Sequence, residues 1–164
     1  MSREQLVVID MQEDFISDKQ GEKVERVKKV LQEIITSARD ANIPITYTMY
    51  PDNSYGSIVP EIEPKPNEIF VKNNTSAFLS KEFCQRIQGS HLLYVTGCNV
   101  HACIRLTVED AVKSGLEVVI FKNATLAHDD YLKKTVEAWL SLWFTRGVKI
   151  MDYRSDINMK TERS

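Results

Sequence analysis

Gln5-Leu6-Val7-Val8-Ile9-Asp10 sets four apolar side chains in a row and closes them with a carboxylate. A strand with one wet face alternates apolar and polar residues. An unbroken run predicts burial on both faces, the condition of a strand inside a parallel sheet. Similar runs return at Ile45 to Tyr50, Glu68 to Val71, His91 to Thr96, Glu117 to Phe121 and Val148 to Met151. Helical spacing fills the intervals. From about Glu22 to Ala41, Val24, Val27, Val30, Leu31, Ile34, Ile35 and Ala38 recur among charged residues, and Asn42 before Ile43-Pro44 marks the stop. Ser80 to Ile87 reads as a short helix, Val100 to Ser114 as a helix closed by Gly115, and Asp129 to Thr145 as one closed by Gly147. Strand and helix alternation with right-handed crossovers predicts a three-layer α/β/α sandwich around a mostly parallel, Rossmann-like sheet.

A chain of 164 residues, 43% hydrophobic and 27% charged, has the balance of one globular domain. We place it over residues 1–153, with a polar tail at 154–164. The net charge of −2 offers no basic footprint, so neither nucleic acid nor an anionic membrane is an expected partner. No apolar run approaches the roughly 20 residues of a membrane span. The three cysteines form no C-x-x-C pair, and no secretory signal precedes the first strand, which together predict a reducing, cytoplasmic setting. G-x-G-x-x-G and Walker-type glycine patterns are missing, and no cofactor is expected.

In a parallel sheet the ligand crevice lies outside the carboxyl ends of the strands. Asp10, the irregular loop after Tyr50, Lys72, the Gly97 to Cys103 turn and Asn123 all fall at that edge. In Val95-Thr96-Gly97-Cys98-Asn99-Val100-His101-Ala102-Cys103-Ile104 an apolar run stops at a glycine, and a cysteine follows just as helical periodicity begins. Unpaired N–H groups in a first helical turn favour the thiolate, which makes Cys103 the candidate nucleophile with a lowered pKa. Cys84 and Cys98 read as packing residues. Phe15, Tyr50, Tyr55 and Phe78 are candidates for an apolar pocket wall or for core. His101 either titrates beside the thiol or faces solvent. Trp139 and Trp143, with Leu140, Leu142 and Phe144 nearby, read as core or subunit interface.

Three blocks resemble the isochorismatase-like cysteine hydrolases, the superfamily of nicotinamidase and N-carbamoylsarcosine amidase. Asp10-Met11-Gln12-Glu13-Asp14-Phe15 is similar to the family's D-x-Q-x-D-F, and Lys72 through Ser76-Ala77-Phe78 to its K-x-x-x-S-A-F. Val95-Thr96-Gly97, with Cys103-Ile104 six residues beyond the glycine, is similar to its V-x-G and Cys-Val. The resemblance implies that Asp10 accepts the thiol proton, that Lys72 balances the local charge and that Cys103 attacks a carbonyl. It also implies a cis peptide between Cys98 and Asn99, with the N–H groups of Asn99 and Cys103 as oxyanion donors. The implied reaction cleaves a small amide or related C–N bond through a thioester, in a homo-oligomer of two or more chains. Within the same superfamily stand vinyl-ether hydrolysis by Asp and Lys alone and catalytically silent metabolite binding. Two departures stand out. Val100 and His101 replace the Thr-Asp or Ser-Asp of many relatives, and Asp52 is followed by Asn53 and Ser54 where nicotinamidases carry a metal-binding Asp-x-His, so no metal is expected.

Overall fold

The first strand, β1 (Glu4–Ile9), is buried at every residue, and its side chains leave alternately to the two faces of the sheet. Leu6 and Val8 enter one core, Val7 and Ile9 the other, which is why no polar residue interrupts this run. The computed structural model describes residues 4–156 and Met159. The further strands are β2 (Ile45–Met49), β3 (Ile69–Val71), β4 (Leu92–Cys98), β5 (Glu117–Leu126) and β6 (Val148–Met151). All pair in parallel, in the order β3-β2-β1-β4-β5-β6.

The helices are α1 (Glu13–Ser17), α2 (Gly21–Asp40), α3 (Asp52–Tyr55), α4 (Lys81–Arg86), α5 (Arg105–Lys113) and α6 (Leu132–Trp143). The α2 stripe of Val24, Val27, Leu31, Ile34, Ile35 and Ala38 packs on the Leu6 and Val8 face. Phe83 of α4, Val108 and Ala111 of α5, and Ala138 and Leu142 of α6 cover the opposite face. The architecture is therefore the expected α/β/α sandwich. From β1 the chain first runs outward through β2 to β3, then returns at β4 to the other side of β1. Connections leaving in opposite directions open a crevice at the C-terminal ends of β1 and β4, where Ile9 lies opposite Gly97.

β5 and the chain after β6 are among the segments that depart from the reading of the sequence. β5 continues five residues past Phe121, because its register with β4 shifts between Val95 and Gly97 and lets Lys122 and Asn123 pass without breaking the strand. Asn123 also serves a different purpose from the one expected at the ligand edge. Its side-chain Nδ2 donates to Tyr153 O at 2.9 Å and its Oδ1 accepts from Tyr153 N at 2.8 Å, pinning the chain after β6. Tyr153 and Met159 are buried in the α2-side core. Of the polar tail, residues 157, 158 and 160–164 lie outside the described residues.

Candidate active site

Asp10 follows β1 directly, with a left-handed backbone (φ 49) that turns the chain out of the sheet at the crevice. Its side chain is fully buried. Oδ1 accepts from Thr48 Oγ1 at 2.9 Å, and Oδ2 lies 2.9 Å from Lys72 Nζ. Lys72 stands just past β3, held by its N–H to Met49 O at 2.7 Å. Its ammonium donates to Asn74 O and Thr75 O, sits 3.8 Å from the centre of the Tyr50 ring, and lies 3.6 Å from Cys103 Sγ. A carboxylate, an ammonium and a thiol from three distant parts of the chain thus share one buried hollow.

Cys103 reaches that hollow through a local geometry that helical periodicity did not predict. The peptide Cys98–Asn99 is cis, and Val100–Ile104 forms a π-helical turn in which Asn99 O accepts from Ala102 N at 3.1 Å and Ile104 N at 3.2 Å. Regular α-helix begins only at Arg105. The expected lowering of the thiol pKa is reversed. Burial first, and the Asp10 carboxylate second, push Cys103 from 9.0 up to about 12, against the pull of Lys72. Sγ is nearly sealed from water, and the single positive charge beside it already answers Asp10. The resting site therefore holds a neutral thiol next to an ion pair. For Lys72, burial alone would lower the pKa, but Asp10 and then Cys103 outweigh it and hold the ammonium above its ordinary value.

Both shifts carry the same sign for stability. A group whose folded pKa exceeds its unfolded value stabilises the fold fully below the unfolded value, and that contribution is lost as pH rises through the folded one. The thermal midpoint is therefore expected to fall once pH climbs above 9.0, the thiol's ordinary value, with the buried Cys98 and Tyr47, also pushed up by burial, acting the same way. Melting curves recorded across the alkaline range check this. A midpoint that stays flat there contradicts the assignment.

Three of the four candidate wall residues cluster together, and one of them, Tyr50, reaches the thiol. Phe15 on α1 and Tyr55 on α3 stack at 4.4 Å, Tyr50 joins them at 6.1 and 5.2 Å, and Tyr50 Oη lies 3.7 Å from Cys103 Sγ. Phe78 instead packs edge-on against Phe83 at 5.3 Å. His101 is half-buried against Tyr131 at 5.0 Å, with Nδ1 enclosed and unpaired; burial, then His128, lowers its pKa. It is neither the solvent-facing histidine nor one poised to gain a proton at neutral pH.

Reading the sequence missed the residues that hold this wall in place. Gln12 is fully buried; its Nε2 donates to Tyr50 O at 2.9 Å and Gly56 O at 2.7 Å, while its Oε1 accepts from Tyr50 N at 2.8 Å. One amide thus fastens the whole loop that carries Tyr50 and Tyr55. Its place inside the Asp10–Phe15 block was the available signal. Ser76 Oγ donates to Asp110 Oδ2 at 2.6 Å and Thr107 Oγ1 accepts from Ala77 N at 3.2 Å, tying the Lys72 block to α5. A cavity of about 670 Å³ opens on the α2 side of β2, beside Met49 and Ile58, and Cys103 is not in its wall. Among the described residues no group of three or more His, Cys, Asp or Glu side chains is placed to hold a metal ion. None of the helices searched among those residues is long and apolar enough to cross a membrane.

Residues 4–152 match the isochorismatase domain. Isochorismatase family protein 2B of Dictyostelium discoideum is 23% identical over 171 residues, covering 91% of this chain and 80% of that protein. Among solved structures, the MAR1 ribonuclease of Caenorhabditis elegans is similar with a TM-score of 0.78 at 20% identity, over 91% of this chain and 76% of that one. The YcaC gene product of Escherichia coli, an octameric hydrolase of unknown specificity, is similar with a TM-score of 0.78 at 18% identity, over 93% and 77% of the two chains. At these identities the structural likeness speaks for the fold.

Proposed function

The chain belongs to the isochorismatase family, and on that footing we propose that it hydrolyses a small amide or related carbon–nitrogen bond through a thioester on Cys103. The observation that carries this reading is the meeting of Lys72 Nζ with both Asp10 Oδ2 at 2.9 Å and Cys103 Sγ at 3.6 Å. Because the thiol rests protonated, attack is coupled to proton transfer. Sγ bonds to the substrate carbonyl carbon as its proton passes to Asp10, and the N–H groups of Asn99 and Cys103 receive the developing oxyanion. The tetrahedral adduct collapses when Asp10 returns the proton to the leaving nitrogen, releasing an amine or ammonia and leaving a thioester. Water, deprotonated by Asp10, then displaces the sulfur, and the acid departs as the thiol regains its proton. Lys72 keeps its charge throughout and stays within ion-pair distance of Asp10.

The aromatic wall of Phe15, Tyr50 and Tyr55 favours a small, uncharged substrate, and the net charge of −2 gives no attraction for polyanions. Like the octameric Escherichia coli neighbour, the chain assembles with copies of itself. The test is a panel of small amides and carbamoyl compounds, read by product formation and by intact mass. An adduct on Cys103 that decays with turnover is the expected result. No product and no adduct across the panel would overturn the reading.

Asp10→Asn separates chemistry from stability. It is expected to lower kcat/KM by about 10²- to 10⁴-fold and to melt earlier, because the buried Lys72 ammonium loses its counter-charge. Adding Lys72→Met should restore the melting temperature without restoring activity. Recovery of both together would mean that the carboxylate is structural only.

A further inference from the structure

Of the three clustered rings of the pocket wall, Tyr50 carries a polar atom to the reacting sulfur, its Oη lying 3.7 Å from Cys103 Sγ. Phe15 has no polar side-chain atom, and Tyr55 is exposed. Two hydrogens could occupy the contact, that of the phenol and that of the thiol. The surroundings decide between them. Asp10 Oδ2 is buried and has no hydrogen-bond partner among the described residues, since the ammonium beside it donates to Asn74 O at 2.9 Å and Thr75 O at 3.2 Å. That carboxylate oxygen is the better acceptor for the thiol proton. With S–H turned to Asp10, the phenol is the donor and the sulfur accepts.

The phenol is also kept in the donating form. Burial, then Cys103, raise the Tyr50 pKa against the pull of Lys72 and of a hydrogen bond with the Thr75 side chain. Two acids this close do not ionise together, so Tyr50 holds its proton when the thiol gives up its own. Its position is fixed from both ends. Gln12 clasps its N–H at 2.8 Å and its carbonyl at 2.9 Å, and the Lys72 ammonium sits 3.8 Å from the centre of its ring. A donor placed in advance needs no reorganisation when charge develops in front of it.

We propose that Tyr50 is itself a catalytic residue, its hydroxyl donating to Cys103 Sγ each time the sulfur carries negative charge. This rests on Cys103 being the nucleophile of the reading above. In the attack, the S–H proton passes to Asp10 and a sulfur electron pair forms the bond to the carbonyl carbon. In deacylation that pair returns to sulfur as the C–S bond breaks, and Asp10 hands over the proton it took from water. Tyr50 keeps its proton in both steps. The charged sulfur between those states otherwise has only Lys72, 3.6 Å away. Such hydrogen bonds are long in a resting enzyme and tighten as charge builds, and a bond to an ionised partner is about twice as strong as one between neutral groups. The stabilisation therefore falls on the transition state rather than on bound substrate.

Tyr50→Phe removes the oxygen alone and leaves the ring against Lys72 and Phe15. The first readout is iodoacetamide alkylation of Cys103 at mildly alkaline pH, timed by peptide mass, with Cys84 of the same chain as reference. The Cys103 rate should fall by about tenfold or more, with the Cys84 rate unchanged. A Cys103 rate that stays equal, or rises because the missing oxygen opens the pocket, would overturn the proposal. The second readout is turnover of an amide that the parent accepts. There kcat should fall by about tenfold while KM stays put, whereas a residue that only lines the pocket would move KM. Tyr50→Leu, which also strips the ring from Lys72, should raise KM and lower the melting temperature on top of that loss. If Tyr50→Phe matches the parent and only Tyr50→Leu is impaired, the residue is wall alone and the proposal fails. Alkylation needs no amide. Slower labelling in a chain that cleaves no amide would sustain the donor and sink the proposed substrate class, and unchanged labelling in a chain that does cleave amides would do the reverse.

Discussion

A Cys103→Ala chain is expected to lose at least about a thousandfold in turnover of its amide substrate, because no other group can form the acyl intermediate. The fold should survive. The side chain is small and lies at the crevice rather than deep in the sheet, so truncation removes one sulfur from a pocket already lined by Tyr50 and Lys72. Two readouts belong together. Intact mass should show no adduct with any substrate, and the alkaline fall in melting temperature should become shallower, because the thiol whose pKa stands at about 12 has been removed. Full turnover by this variant would instead assign the reaction to Asp10 and Lys72 alone, the route of vinyl-ether hydrolysis, and would exclude a covalent mechanism.

Gly97→Ala is expected to be the most damaging single substitution for stability. Gly97 adopts φ +106, and a Cβ there would stand 2.1 Å from Ile9 O, 2.6 Å from Ile9 N and 2.8 Å from Ile9 C. All three are backbone atoms of β1. Neither strand can retreat, since β1 and β4 are both central and each is hydrogen-bonded to another strand on its far side. A loss above about 4 kcal/mol is expected, enough to unfold a domain of ordinary stability. Gly89 and Gly115 make the controls. Both have positive φ, but a Cβ at either would meet nothing within 4 Å, so alanine there should cost only the strain of a left-handed residue, about 1 kcal/mol. Urea denaturation compares them. Equal midpoints for Gly97→Ala and Gly89→Ala would show that the close approach is not what holds β1 against β4. The contact matters for the site because it sets Asp10 and the turn to Cys103 side by side at the crevice.

Much of the molecule was legible along the chain. Leu6 to Ile9 declared a strand buried on both faces, and the α2 stripe declared its partner layer. Asp10, Lys72 and Cys103 stood where strands end, and the topology brought them together. The periodicity of burial is written locally, residue by residue, because each side chain's face is set by its neighbours in sequence. What surrounds a side chain is not. The π-helical turn before α5 has no periodic signature, and Gln12 and Thr48 became visible as supports only when Tyr50 and Asp10 were seen against them. The protonation of Cys103 likewise depends on a sum over groups far apart in the chain. Position at a helix start favoured the thiolate, but desolvation and a carboxylate already paired with Lys72 decide for the thiol. Order and layering are therefore properties of the sequence, whereas charge state and close approach belong to the tertiary structure, which alone determines what each group is packed against.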